Sequence, residues 1–388
     1  RSTPSNSSAA SDVYKRQALS QRPVLVIGAG PSLRDQLPLI ERIAPVVHII
    51  AVDTAVGPLV MCGIIPDFIV TLDAQHFNTY DFFTLFTDIR TAEPVYERSL
   101  LIADIVVCPQ ILKNWRGVVY FSETSYASGS DHADFNGNNP PKAHSLSSLL
   151  HKYFHDIDSL ECGGSVTTTA IELALHLGAD PVFVTGLDLS YTGYQTHVAS
   201  SPFYNELFGT SSRFAPLQTL MTRTIRGRKI NQIPMKDGKT VVSDFVFMNY
   251  LKWLNSRTVY EKRVVNVTES GLEIAGIAHR ALEECAPGLL SREKKPDLQF
   301  HTDPSSGLDN SPDRGRRPLS RETALQFLRA LQKESNKAKS MLNAHGFNAQ
   351  DFMRRFSFLK NSTLHALRLG FCASAGSVSY THLTLPTN

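Results

Sequence analysis

Short apolar runs alternate along the chain with stretches whose apolar residues recur every three or four positions. Val24-Leu-Val-Ile27 is a β-rich run ending in Gly28-Ala-Gly-Pro-Ser32, after which Leu33, Leu37, Ile40 and Ile43 fall at helical spacing. This predicts a strand, a turn and a helix. A second run, Val46 to Val52, ends at Asp53, and a third, Phe68 to Leu72, ends at Asp73, with a short helical stretch between them. Leu100 to Val107 and Val118 to Phe121 read as further strands, and Ser122 to Pro141 as a long exposed loop rich in Ser, Gly, Asn and Asp. Cys162-Gly-Gly-Ser165 opens a helix over Val166 to Leu177, which Gly178 stops before a strand from Pro181 to Thr185. A helix near Ser243 to Leu254 and a strand at Val264 to Val267 complete the core. Repetition of the strand and helix unit predicts an α/β fold, a Rossmann-like, mostly parallel sheet with flanking helices.

Composition sets the scale of that fold. The 388 residues are 42% hydrophobic and 19% charged, enough for one large core and a smaller appendage. From Pro287 to Pro318 the chain turns to Pro, Asp, Ser, Arg and Lys, the composition of a linker. Leu325, Leu328, Leu331, Met341 and Leu342 then space a C-terminal helical segment able to pack on the core. The stretches Ser7–Gln17 and Val378–Thr387 resemble translated sequencing-adapter sequence. The expected layout is therefore a non-native tail over 1–21, the Rossmann-like domain over 22–285, the linker over 286–319, the helical segment over 320–372 and a second non-native tail over 373–388. On this reading the chain is a piece of a longer protein.

Several classes of function fall away. The chain has no apolar run of about 18 residues and no charged start leading into an apolar stretch, so a cytoplasmic protein without a membrane span is expected. Five scattered cysteines, with no Cys-x-x-Cys, suit neither a disulfide framework nor a zinc site. A formal charge of +3 and the lack of an aromatic-interleaved basic stripe argue against nucleic acid as a partner.

Ligands of parallel α/β sheets sit beyond the carboxyl ends of the strands, and four clusters fall there. In Gly28-Ala-Gly30-Pro31-Ser32, tight-turning glycines and free amides at a helix start can hold phosphate. This is not a full dinucleotide fingerprint, because Leu33 stands where the third glycine belongs and Pro31 removes an amide. Asp53-Thr54 and Asp73-Ala-Gln75-His76 each end a strand; an acid there holds ribose hydroxyls or serves as a helix N-cap. Asp67, in the turn before the third strand, reads as structural. The fourth cluster joins Gly163-Gly164-Ser165-Val166-Thr167 to Gly186-Leu187-Asp188 with Tyr191 and His197, where paired glycines admit a ligand close to the backbone.

These motifs resemble the central domain of motility accessory factor proteins. The resemblance rests on Gly28-Ala-Gly-Pro-Ser-Leu33, Ala51-Val-Asp-Thr-Ala55, Pro66-Asp67, Leu72-Asp73, Gly163-Gly-Ser-Val166, Gly186-Leu-Asp-Leu189 and Val265-Asn-Val-Thr268, in order, over roughly two thirds of the chain. The domain is similar, more distantly, to bacterial sialyltransferases and is grouped with 6-hydroxymethylpterin diphosphokinase-like proteins. The resemblance implies transfer of a nonulosonic acid (sialic, pseudaminic or legionaminic) from a CMP-activated sugar to flagellin Ser or Thr. It places Gly28, Gly30, Pro31, Ser32, Asp53, Thr54, Asp73, Gln75, Gly163, Gly164, Ser165, Thr167 and Gly186 around the nucleotide; Tyr191 and His197 lie where they can reach the leaving phosphate, and the residues left to deprotonate the acceptor are His197 or Asp188. The histidine base of the sialyltransferases has no counterpart, since the matching place falls near Lys239, ahead of Ser243-Asp244. No cofactor is firmly implied, and a divalent metal, magnesium or manganese, stays open. Two other classes remain: pyrophosphoryl transfer from ATP to a pterin alcohol, which leans on magnesium and here lacks a Walker lysine, and a non-catalytic nucleotide-binding motility module.

Weaker signals have plainer readings. Asp156-Ile-Asp158 is expected on a solvated face rather than at a metal, the run Arg223, Arg226, Arg228, Lys229 is expected to be solvated, and Trp115 and Trp253 are expected to pack.

Overall fold

The computed structural model describes residues 19–125, 158–235, 238, 240–257, 260 and 263–298. Nine strands form one sheet in the order β11-β10-β7-β1-β2-β3-β4-β5-β6, every pairing parallel. In chain order these are β1 (Val24–Ile27), β2 (His48–Val52), β3 (Phe68–Thr71), β4 (Leu100–Asp104), β5 (Val118–Ser125), β6 (Asp158–Glu161), β7 (Val182–Thr185), β10 (Val264–Asn266) and β11 (Ala278–His279). The central strands β1, β2, β3 and β7 are buried at every position, which is why they read as unbroken apolar runs rather than alternating ones. The α/β expectation holds.

The helices are α1 (Leu33–Ile43), α2 (Asp53–Met61), α3 (Phe83–Thr87), α4 (Ile89–Arg98), α5 (Pro109–Asn114), α6 (Val166–His176), α7 (Pro202–Thr210), α8 (Leu217–Arg226), α9 (Phe245–Asn255) and α10 (Leu282–Leu290). The chain steps outward from β1 to β6 and returns through α6 to β7, on the other side of β1. Right-handed crossovers in opposite directions put α1 and α6 on opposite faces of the sheet, leaving a crevice at the tips of β1 and β7. α6 packs across β1, β2, β3, β6 and β7.

Several boundaries differ from expectation. Ser243 lies in β9 (Thr240–Asp244), paired with β8 (Ile230–Pro234) as an antiparallel hairpin, and α9 starts only at Phe245. β4 stops at Asp104, whose carboxylate accepts the Val106 amide and turns the chain. Ser122–Ser125 belong to β5, and Asp158 opens β6. The polar stretch from Pro287 begins inside α10, and Leu298 still packs on the core. The remainder of the Ser122–Pro141 loop, Asp156, Lys239, the linker beyond 298, the helical segment and both tails lie outside the described residues. Among the described residues no helix is long and apolar enough to cross a membrane, and Cys62, Cys108, Cys162 and Cys285 are free. Trp115 is buried in a cluster with Phe82 and Ile111, and Trp253 packs on the main core.

Candidate functional site at the strand tips

The β1 turn and the segment after β7 are built against one another. The Gly28 amide donates to the Thr185 carbonyl (2.8 Å), and the Gly30 amide donates to that of Gly186 (2.8 Å). A Cβ on Gly28 would lie 2.5 Å from the Gly186 oxygen, and one on Gly30 would strike the Asp188 carboxylate. Ser32 donates to Asp188 through its amide (3.2 Å) and its hydroxyl (2.9 Å). These amides are therefore already spent, which corrects the expectation of a free phosphate cradle in this turn. Its glycines make room for protein backbone.

Asp188 also accepts from Thr192 Oγ1 (3.1 Å) and Ser270 Oγ (3.4 Å). Burial pushes its carboxyl up to about 6 despite these donors. From Asp188 the chain runs as a strap over the tips: the Val198 amide donates to Ala29 (2.9 Å), and the Ser200 carbonyl lies 3.9 Å from a Cβ placed on Gly57 of α2. The strap carries Tyr191 and His197. Tyr191 donates its hydroxyl to Asp244 Oδ2 (2.6 Å), which also accepts from Arg228 (3.2 Å). Burial and that carboxylate drive the phenol upward, so it remains a donor. Arg228 is thus paired rather than solvated, unlike the exposed Arg223, Arg226 and Lys229. His197 has no partner for Nδ1, and burial followed by the Arg228 charge lowers it to about 4, leaving a neutral ring.

α6 begins at the same crevice. The Ser165 hydroxyl caps it by accepting the Thr168 amide (3.3 Å), and Thr167 Oγ1 lies 3.0 Å from a Cβ placed on Gly28. A helix start leaves its first amides without intrahelical acceptors, here those of Val166 and Thr167. The paired glycines before it do not open toward a ligand as expected. A Cβ on Gly163 would collide with Trp253, and one on Gly164 (φ +100°) would lie 2.6 Å from the Tyr250 ring.

Acids crowd the neighbouring tips. Asp53 starts α2, accepts the Thr54 amide through Oδ1 (2.9 Å) and keeps a buried Oδ2 with no partner. Burial first, then Asp73, raises it to about 7. Asp81, in the turn before α3, is raised to about 9 by burial and by Asp53. Asp73 accepts from Asn78 (3.2 Å) and, with Asp104, is pushed up by desolvation. Gln75 is exposed. Among the described residues no three His, Cys, Asp or Glu are arranged to hold a metal ion.

Residues 3–194 match the model of the family described as MptE-like, 6-hydroxymethylpterin diphosphokinase MptE-like. The match covers just under half of the chain, and this part is similar to the MptE-like family. Two uncharacterized proteins of Treponema pallidum (strain Nichols) are each 28% identical, one over 237 residues (56% of this chain and of that protein), the other over 198 (50% and 30%). The chain spans little more than half the length of the first and under a third of the second. The MAf glycosyltransferase from Magnetospirillum magneticum AMB-1, a solved structure, is similar at TM-score 0.45 and 19% identity, over 72% of this chain and 36% of that one.

In the MptE-like part, the residues missed from sequence are Asp81, Asp104 and Thr192. Asp104 ends a strand as Asp53 and Asp73 do, and that position was the signal. Ser270 and Tyr250, contributed from beyond residue 194, carry no local motif. Nor does Asp81.

Proposed function

We propose that this MptE-like protein is a glycosyltransferase that moves a nonulosonic acid from its CMP ester to Ser or Thr of flagellin. The observation that carries the reading is that the α6 start approaches Gly28 in the β1 turn while the strap bearing His197 bonds to Ala29 of the same turn and passes over α2, the helix that Asp53 starts. The ordered motif resemblance supports the same donor.

The transfer breaks the bond between the sugar's anomeric carbon and the phosphate oxygen, and forms one from that carbon to the acceptor hydroxyl oxygen. CMP leaves with the bonding pair. The Val166 and Thr167 amides, at the positive end of the α6 dipole, suit the charge gathering on its phosphate. Asp53 suits the ribose hydroxyls through its unpaired oxygen. His197, neutral through the physiological range, takes the acceptor proton. Asp188 and Tyr191, already bonded to protein groups, position the strap.

A second reading is pyrophosphoryl transfer from ATP to a pterin alcohol. The electrostatic coupling of Asp53 to Asp81 favours it, because magnesium is held by one or two carboxylates together with substrate phosphates and phosphoryl transfer draws on it. Thermal shift with CMP, ATP and NAD separates the readings, since a ligand of the native state raises the melting temperature. Stabilisation by CMP, weakened in Asp53→Ala, with CMP-sugar consumed only when flagellin is present, supports glycosyl transfer. Stabilisation by ATP alone, with magnesium-dependent AMP release, sinks it, and CMP binding without turnover leaves a non-catalytic module.

A further inference from the structure

The opposite edge of the sheet holds a second concavity of about 600 Å³. It is walled by Arg22 and Pro23 ahead of β1, by Val46 and His48 entering β2, and by residues 291–296 after α10. Its charge is lopsided. Arg22, Arg292 and Lys294 are exposed, and among the described residues none of them is paired with a carboxylate, while Glu293 is the single acid in the lining. Lys295 is spent: its ammonium donates to Asp67 Oδ2 (2.5 Å) and its amide to the Pro45 carbonyl (2.9 Å), which fastens the 291–296 wall to the sheet. His48 is 1% exposed, its Nδ1 lies 3.4 Å from Asp67 Oδ1, and its Nε2 has no partner.

A buried ring nitrogen without a partner costs free energy unless something enters to bond it. Three unpaired cations in the same lining select the sign of what enters. Guanidinium groups present paired N–H donors that match phosphoryl oxygens, and the volume falls within the range of small-molecule sites. We propose that this pocket binds a small molecule bearing a phosphate or diphosphate group, at a site separate from the strand tips.

The test uses the full chain and pyrophosphate as probe, by calorimetry at fixed ionic strength, with hydrogen exchange to locate the bound ion. The proposal expects saturable 1:1 binding, protection of the segment 291–296, and a loss of tenfold or more in affinity in the Arg292→Ala/Lys294→Ala variant. Both side chains are exposed, so the variant keeps the wild-type melting temperature and its response to CMP. Inorganic phosphate binds the same segment more weakly if a diphosphate is the natural group, and equally well if a single phosphate suffices. Unchanged affinity in the double variant overturns the proposal. So does protection confined to 163–168, or no saturation by about 10 mM pyrophosphate, a limit set by the weak end of specific binding.

Discussion

At the amino edge of the sheet, Asp67 is met by the Lys295 ammonium, the His48 ring and the Ile49 amide (2.8 Å). At the carboxyl edge, the buried Asp53 and Asp81 have no cation among the described residues; Asp53 raises Asp81, and the exposed Asp73 raises both. Burial acts on both groups in the same direction, against the charged form. The counter-ions reverse it for Asp67, which is held below the ordinary carboxylate range, while Asp53 and Asp81 are raised to about 7 and about 9. A buried acid supplied with its cation is a joint; buried acids left facing each other are the mark of a site kept for something else.

The largest effect should come from undoing the joint. Lys295→Ala leaves Asp67 buried without its ammonium and should lower unfolding free energy in urea by about 4 kcal/mol near neutral pH. Because the folded value of Asp67 lies below its unfolded one, the stability it confers is present above the unfolded value and lost as pH falls through the folded one. The variant and the wild type should therefore converge in acid. A loss under about 1 kcal/mol would mean that the pair is screened like a surface one.

Next in size is Gly30→Ala, where the new methyl group meets Asp188 and the Gly186 oxygen, the latter at 2.7 Å. It should cost about 3 kcal/mol by overpacking and loosen the strap. Wild-type stability with unaltered CMP response would show that the turn has slack.

Asp53→Asn carries the opposite sign. A carboxyl raised in the folded state weakens the fold as pH climbs from its unfolded value, 3.8, to about 7. The variant should be more stable than wild type by about 2 kcal/mol near pH 8, and no different near pH 4. A variant no more stable at the higher pH would mean that Asp53 already has a counter-charge. Ser165→Ala, the smallest change, should cost about 1 kcal/mol through the lost cap while reducing the thermal shift with CMP.

Strands buried on both faces were legible because parallel sheets leave no alternation to misread, as at Val24–Ile27 and Val182–Thr185. The overrun past Asp104 arose because Ile105, Val106 and Val107 continue the apolar run after a side chain has ended the strand. Candidate positions were legible too, since acids and glycines fall where strands end. What each glycine faces was not. Gly163 and Gly164 are filled by Trp253 and Tyr250, far along the chain, and only the folded topology brings those rings over. The same holds for the Gly28 turn, whose amides are claimed by residues after β7.

The mutual approach of Gly28 and Gly186, each lacking room for even a methyl group against the other's carbonyl, ties two distant codons to a common fate. Neither position can change alone without spreading the central strands. In the descent of such sheets the two should be inherited together or lost together, and a lineage that swaps one for alanine should have remodelled the whole junction around it.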